Sequence, residues 1–201
     1  MELRTHPDNA FNELMPLMRK AAVASGIENT EGFVLLDGGD YKNESLLLDE
    51  FRDYAFYWSP SKPKDRVPPH VAALMNDPRC ANLIWLSRRA LAEEDIHLVW
   101  ILAHEARHLF QATQSISTDG VRKHIQSLRR RPQFTTLPGS TLSPLEVDSD
   151  LFALQVARQM FGRDAIRDFF ARRNLPRCPD SRYLSFMEEL EDAMQDPGPS
   201  A

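Results

Sequence analysis

Apolar residues recur at helical spacing along much of this chain, and their densest run is DIHLVWILAHEARHLFQAT, Asp95 to Thr113. Ile96, Leu98, Val99, Trp100, Ile101, Leu102 and Ala103 lead without a break into His104-Glu105-Ala106-Arg107-His108, and Leu109 and Phe110 follow. That pattern predicts a helix buried on most sides. Upstream, Phe11, Leu14, Leu17, Met18, Ala21 and Ala22 repeat near a 3.6 period, with Asn9 as N-cap and Gly26 past the end. Pro16 makes this helix start late or kink. Gly32 to Gly39 reads as a strand closed by a glycine turn, and Ser45 to Phe51 as a second strand. Residues Arg52 to Trp58 either extend that strand or form a helical turn.

The proline-rich stretch SPSKPKDRVPP, Ser59 to Pro69, predicts a surface loop. A short helix at His70 to Met75 and a buried strand at Asn82 to Ser87 follow. Beyond the central helix, a polar connection carries a helix from Asp119 to Arg129 and a turn at Pro138-Gly139. Ser143-Pro144-Leu145-Glu146 then starts a helix that runs to Gly162, because Ser at N-cap, Pro at the first position and Glu at N3 match a capping box. Further helices are expected at Asp164 to Arg173 and Ser181 to Met194, with residues 196–201 as a flexible tail. The elements together predict an α+β chain, mainly helical, with a small N-terminal β-sheet and one domain over residues 1–195.

Composition narrows the function classes. With 201 residues and 42% hydrophobic content, the chain can bury a sizeable core. A net charge of −5 gives no general attraction to nucleic acid or to an anionic membrane, and Arg129-Arg130-Arg131 reads as a solvated loop. There is no run of eighteen apolar residues and no apolar core in MELRTHPDNAF, so the expected address is cytoplasmic. Cys80 and Cys178 lack metal-knuckle spacing and read as buried thiols.

The chemistry lies in HEARH. Residues four apart on a helix share a face, so His104 and His108 can bind one metal ion, and Glu105 beside them can act as a general base toward water. A catalytic zinc usually takes three protein ligands, which leaves one to find. Glu146, Asp148, Asp150 and His124 are the candidates downstream. Glu146 has a competing role as the N3 residue of the capping box. Asp148 is about 200 degrees around the helix from Glu146 and should face elsewhere. His97 shares the face of His104 but lies about 10 Å along the axis, too far for the same ion. Arg107 and Arg88-Arg89 read as solvated surface.

HEARH followed by Glu146-Val147-Asp148-Ser149-Asp150-Leu151-Phe152-Ala153 resembles the gluzincin metallopeptidases, in particular the E-x-E-A-N/D-x-F-A segment of ImmA/IrrE-like and related small bacterial zinc peptidases. The likeness covers His104 to Gln111 and Glu146 to Leu154, and this chain has Asp148 and Ser149 where the family segment has Glu and Ala. It implies a zincin-like fold around an HExxH active-site helix. It further implies Zn2+ held by His104, His108 and Glu146, Glu105 as catalytic base, and Asp150 orienting a zinc-bound histidine. The implied substrate is a protein or peptide, by analogy a specific regulatory protein. His124 and Tyr183 are candidates for stabilising the oxyanion. By topological analogy, the strand at Asn82 to Ser87 would border the cleft and offer its edge to an extended substrate. The alternative is a regulatory or interaction module whose zinc site is structural or vestigial. A helical binding domain without metal is the third reading.

Overall fold

The structure is a computed structural model that describes residues 1–7, 10–41, 54–59, 67–135, 137, 143–172 and 181–195. It is an α+β fold in which β1 (Glu2–His6), β2 (Phe33–Asp37), β3 (Ala55–Trp58) and β4 (Leu83–Leu86) form one sheet of order β1-β2-β4-β3. β1, β2 and β4 run parallel, and β3 pairs antiparallel with β4. β2 and β4 are buried at every position. Parallel strands covered on both faces read as unbroken apolar runs, and FVLL of β2 and LIWL of β4 are such runs, with Asp37 ending the first.

Alternation along each strand still sorts the side chains. Val34, Leu36, Ile84, Leu86 and Tyr57 join the main core on the helical side. Phe33, Leu35, Leu83, Trp85, Phe56 and Trp58 form a smaller cluster closed by Val71 and Met75 of α2 (Pro69–Met75). α1 (Met15–Ala24) starts late, as Pro16 requires, since Pro is tolerated in the first turn of a helix but not in its interior.

α3 (Arg88–Leu91) leads into α4 (Asp95–Gln114), the central helix, whose Leu98, Val99, Leu102, Ala103 and Ala106 have no exposed surface. α6 (Pro144–Phe161) packs against it, and α5 (Asp119–Leu128), α7 (Arg163–Arg172) and α8 (Ser181–Gln195) pack on α6, with a 3-10 turn at Pro132–Phe134. The closest partnership is between α4 and α6. Both helices bury alanines completely, Ala103 and Ala106 on α4 and Ala153 and Ala157 on α6. Gly162, at φ 86, ends α6 in a conformation that side chains rarely adopt.

Several expectations are corrected. β1 has no counterpart in the sequence reading, because ELRTH carries a single aliphatic residue and lies on the sheet margin. β4 is paired on both sides, so it cannot offer an edge to a substrate; of the two marginal strands among the described residues, β1 and β3, it is β3 that lies beside α4. Residues 52–58 resolve as strand over Ala55–Trp58. The expected strand at Ser45 to Phe51, the turn at Pro138-Gly139, Cys178 and the 196–201 tail lie outside the described residues. Cys80 is partly buried, with its Sγ 3.7 Å from the Asn82 carbonyl oxygen. Among the described residues, no helix is long and apolar enough to cross a membrane.

Leu102→Ala should destabilise the chain by about 2–5 kcal/mol, because the site lies among packed helices that cannot collapse onto the void. Chemical denaturation measures it; a loss under about 1 kcal/mol would contradict the central placement of α4.

Candidate metal centre

Helical geometry sets the site from α4. His104 and His108, one turn apart, place their Nε2 atoms 3.0 Å from each other. Glu146, in the first turn of α6, reaches both: its Oε2 lies 3.3 Å from His104 Nε2 and its Oε1 3.6 Å from His108 Nε2. Ser143 makes no side-chain capping bond, so the capping box that the sequence suggests is not formed and the Glu146 carboxylate points to the imidazoles. His104, His108 and Glu146 qualify together as a group able to hold one metal ion.

The other ring nitrogens are already engaged. His104 Nδ1 lies 2.9 Å from Asp150 Oδ1, so it carries the hydrogen that this carboxylate accepts. His108 Nδ1 lies 2.8 Å from Gln111 Oε1. The Gln111 amide nitrogen donates to Asp148 Oδ2 at 2.8 Å and to the Leu145 carbonyl at 3.0 Å, which fixes its oxygen toward His108. Both neutral rings therefore carry Nδ1–H and turn an Nε2 lone pair inward. Two lone pairs and a carboxylate facing one point form a set of acceptors without a donor, and only a proton or a metal cation can fill it. The residues present fit a zinc ion on this ground: two imidazoles and one carboxylate, with each ring held by a partner behind it.

Asp150 is committed away from that point. Besides His104, it accepts from Trp100 Nε1 at 3.3 Å and from the Tyr183 hydroxyl at 2.5 Å. Its place is behind the His104 ring, and the carboxylate that faces both Nε2 atoms is that of Glu146. Tyr183, expected as an oxyanion donor, spends its hydroxyl hydrogen on Asp150. His124 lies on α5 and is not in the group gathered at His104 and His108. Asp148 does face elsewhere: it is buried and forms a two-pronged pair with Arg107, at 2.7 and 3.0 Å. Arg107 is thus half-buried structure and not solvated surface. Gln111 escaped the sequence reading, although its position one turn after His104-His108 on the same helix is a usable signal.

The electrostatics follow from this crowding. Burial alone would lower the His104 value, but bonding to the carboxylates of Asp150 and Glu146 outweighs it and holds the ring well above its usual range. His108 is raised as well: burial opposes, and Glu146 prevails. Glu146 is held far below the ordinary carboxylate range by the two imidazoles. Glu105 moves the other way. Burial pushes its carboxyl up, against the pull of His104 and His108, and the Tyr57 backbone N–H of β3 bonds to it.

Comparison of the chain with known protein families, with curated proteins and with solved structures finds no match.

The shifts carry a stability consequence for the metal-free chain. His104, His108 and Glu105 bind protons more tightly when folded, so their contribution is lost as pH rises through the raised values, beginning above about 6.5 for the histidines. The lowered Glu146 contributes above about 4.5 and loses that as pH falls. Denaturation in chelator should therefore show stability declining above pH 6.5, and saturating Zn2+ should remove the decline. Asp150→Asn should weaken zinc affinity about 10- to 100-fold, measured by chelator competition.

Proposed function

We propose that the chain is a zinc-dependent peptidase of gluzincin type, with a zincin-like arrangement of α4, α6 and the sheet. The observation that carries the reading is the inward convergence of His104 Nε2, His108 Nε2 and the Glu146 carboxylate, with both rings locked from behind by Asp150 and Gln111. A zinc ion bound by these three supplies Lewis acidity, acidifying water and polarising a carbonyl.

The chain's own groups do the rest. Glu105 follows His104 on α4, and its carboxyl, pushed up by burial, has a proton affinity nearer to neutrality than an exposed glutamate. It can accept a proton from water and return it to the leaving amine, the two transfers that amide hydrolysis needs. The Tyr57 N–H holds that carboxylate in place and ties it to β3. An extended peptide laid along β3 on the side away from β4 would pass beside Glu105, which the Tyr57 N–H bonds. The Glu146 side chain is 48% exposed against 17% for His104, so the metal group opens to solvent on the α6 side. A reactive centre needs such access, whereas a purely structural zinc is normally closed by a fourth protein ligand. The substrate is accordingly a protein or peptide, and the cofactor Zn2+.

Glu105→Gln should keep zinc and its affinity while hydrolysis of an unstructured protein such as casein falls by at least about a hundredfold, the lower end of what general base catalysis contributes. Retained turnover would overturn the role of Glu105. His108→Ala should abolish stoichiometric zinc by elemental analysis, and unchanged zinc content would overturn the ligand set.

A further inference from the structure

A second group of metal-binding side chains lies at the other side of the sheet. His6 ends β1, and Asp37, its register partner, ends the neighbouring parallel strand β2. His70 is the second residue of α2. One ring nitrogen from each histidine and a carboxylate oxygen of Asp37 lie within 4.8 Å of one another.

Asp37 is the unusual member, a carboxylate with no exposed surface at the end of a strand. Trp85 Nε1 donates to its Oδ2 at 2.8 Å, the Gly39 backbone N–H to Oδ1 at 2.9 Å, and the Tyr41 hydroxyl at 2.9 to 3.0 Å. His70 Nε2 completes the shell at 2.8 Å from Oδ2. Tryptophan, tyrosine and backbone donors are all neutral, so three of the four partners satisfy hydrogen bonding without cancelling the charge. A buried carboxylate is costly unless a cation accompanies it. The His70 bond is the exchangeable one, since its side chain is 23% exposed while the other donors come from the strand, its turn and the smaller core.

The two imidazoles are placed side by side, with ring centroids 3.6 Å apart and planes 8° from parallel. Parallel rings send their lone pairs alongside each other and not to one point. Convergence on one ion therefore requires the partly exposed His6 ring to turn out of the stack.

We propose that His6, Asp37 and His70 form a second divalent transition-metal site, separate from HEARH, that clamps β1 and the start of α2 onto the end of β2. Two imidazoles and a carboxylate select zinc, nickel or copper over calcium and magnesium, which take oxygen donors. The metal would replace the His70 hydrogen on Asp37 Oδ2 and leave the Trp85, Tyr41 and Gly39 bonds intact. Three protein donors leave the remaining coordination to water. A clamp here acts on the one strand with little apolar surface of its own, β1.

The test isolates this site from the other by working in the full chain carrying His104→Ala and His108→Ala. Zn2+ titration of that chain should show one equivalent bound and a rise in Tm, and adding His6→Ala and His70→Ala should abolish both. A folded His104→Ala/His108→Ala chain that takes up no Zn2+, or one that takes it up equally without His6 and His70, overturns the proposal. Labelling with diethyl pyrocarbonate decides in the unsubstituted chain: Zn2+ should protect His6 and His70 severalfold by mass spectrometry, and undiminished labelling overturns the site. None of these readouts depends on peptidase activity.

Discussion

Two imidazole lone pairs and a carboxylate facing one point set the central constraint of this molecule. His104 and His108 cannot relax apart, because each ring is bonded on its far side, to Asp150 and to Gln111. Glu146 cannot withdraw into a capping role without abandoning both. Repulsion among acceptors is tolerated only if the surrounding structure is stiff and a cation completes the set. The pairing of α4 with α6 supplies the stiffness, with the half-buried Arg107–Asp148 pair joining the two helices.

The polar groups between these helices form two chains that leave the histidines in different directions. One runs from His104 through Asp150 to Trp100 and Tyr183, linking α4, α6 and α8. The other runs from His108 through Gln111 to Asp148 and Arg107 and returns to α4. Each aspartate of α6 serves a different chain, which explains why Asp148, Asp150 and Glu146 can sit so close in sequence without competing for the same point. Removing one member leaves a partner unsatisfied, so these positions act on stability.

The sheet plays two parts. On its α4 side β3 touches Glu105 through the Tyr57 N–H, so a strand contributes backbone, not side chain, to the helix that carries His104 and His108. At the ends of β1 and β2 it gathers His6 and Asp37 with His70 of α2. Nothing in the local sequence of these three residues announces a cluster, because they come from elements far apart in the chain. Only parallel pairing of β1 with β2 brings His6 opposite Asp37.

By itself the sequence determined what depends on local spacing. The buried helix carrying HEARH, the α6 start at Ser143-Pro144 and its stop at Gly162, and the late start of α1 at Pro16 all follow from periodicity and backbone chemistry within a few residues. The resemblance to gluzincins singled out Glu146 and Asp150, but spacing could not choose between a cap and a ligand for Glu146, since either role suits a glutamate at that position. Tertiary structure turned that carboxylate away from the cap and toward the imidazoles by bringing α6 against α4. It also set the Gln111 bond to His108, the pairing of half-buried Arg107 with Asp148, the diversion of the Tyr183 hydroxyl to Asp150, and the pairing of β4 on both sides. Each of these is a contact between residues distant in the chain, and such contacts are fixed by packing and strand order, which no local pattern encodes.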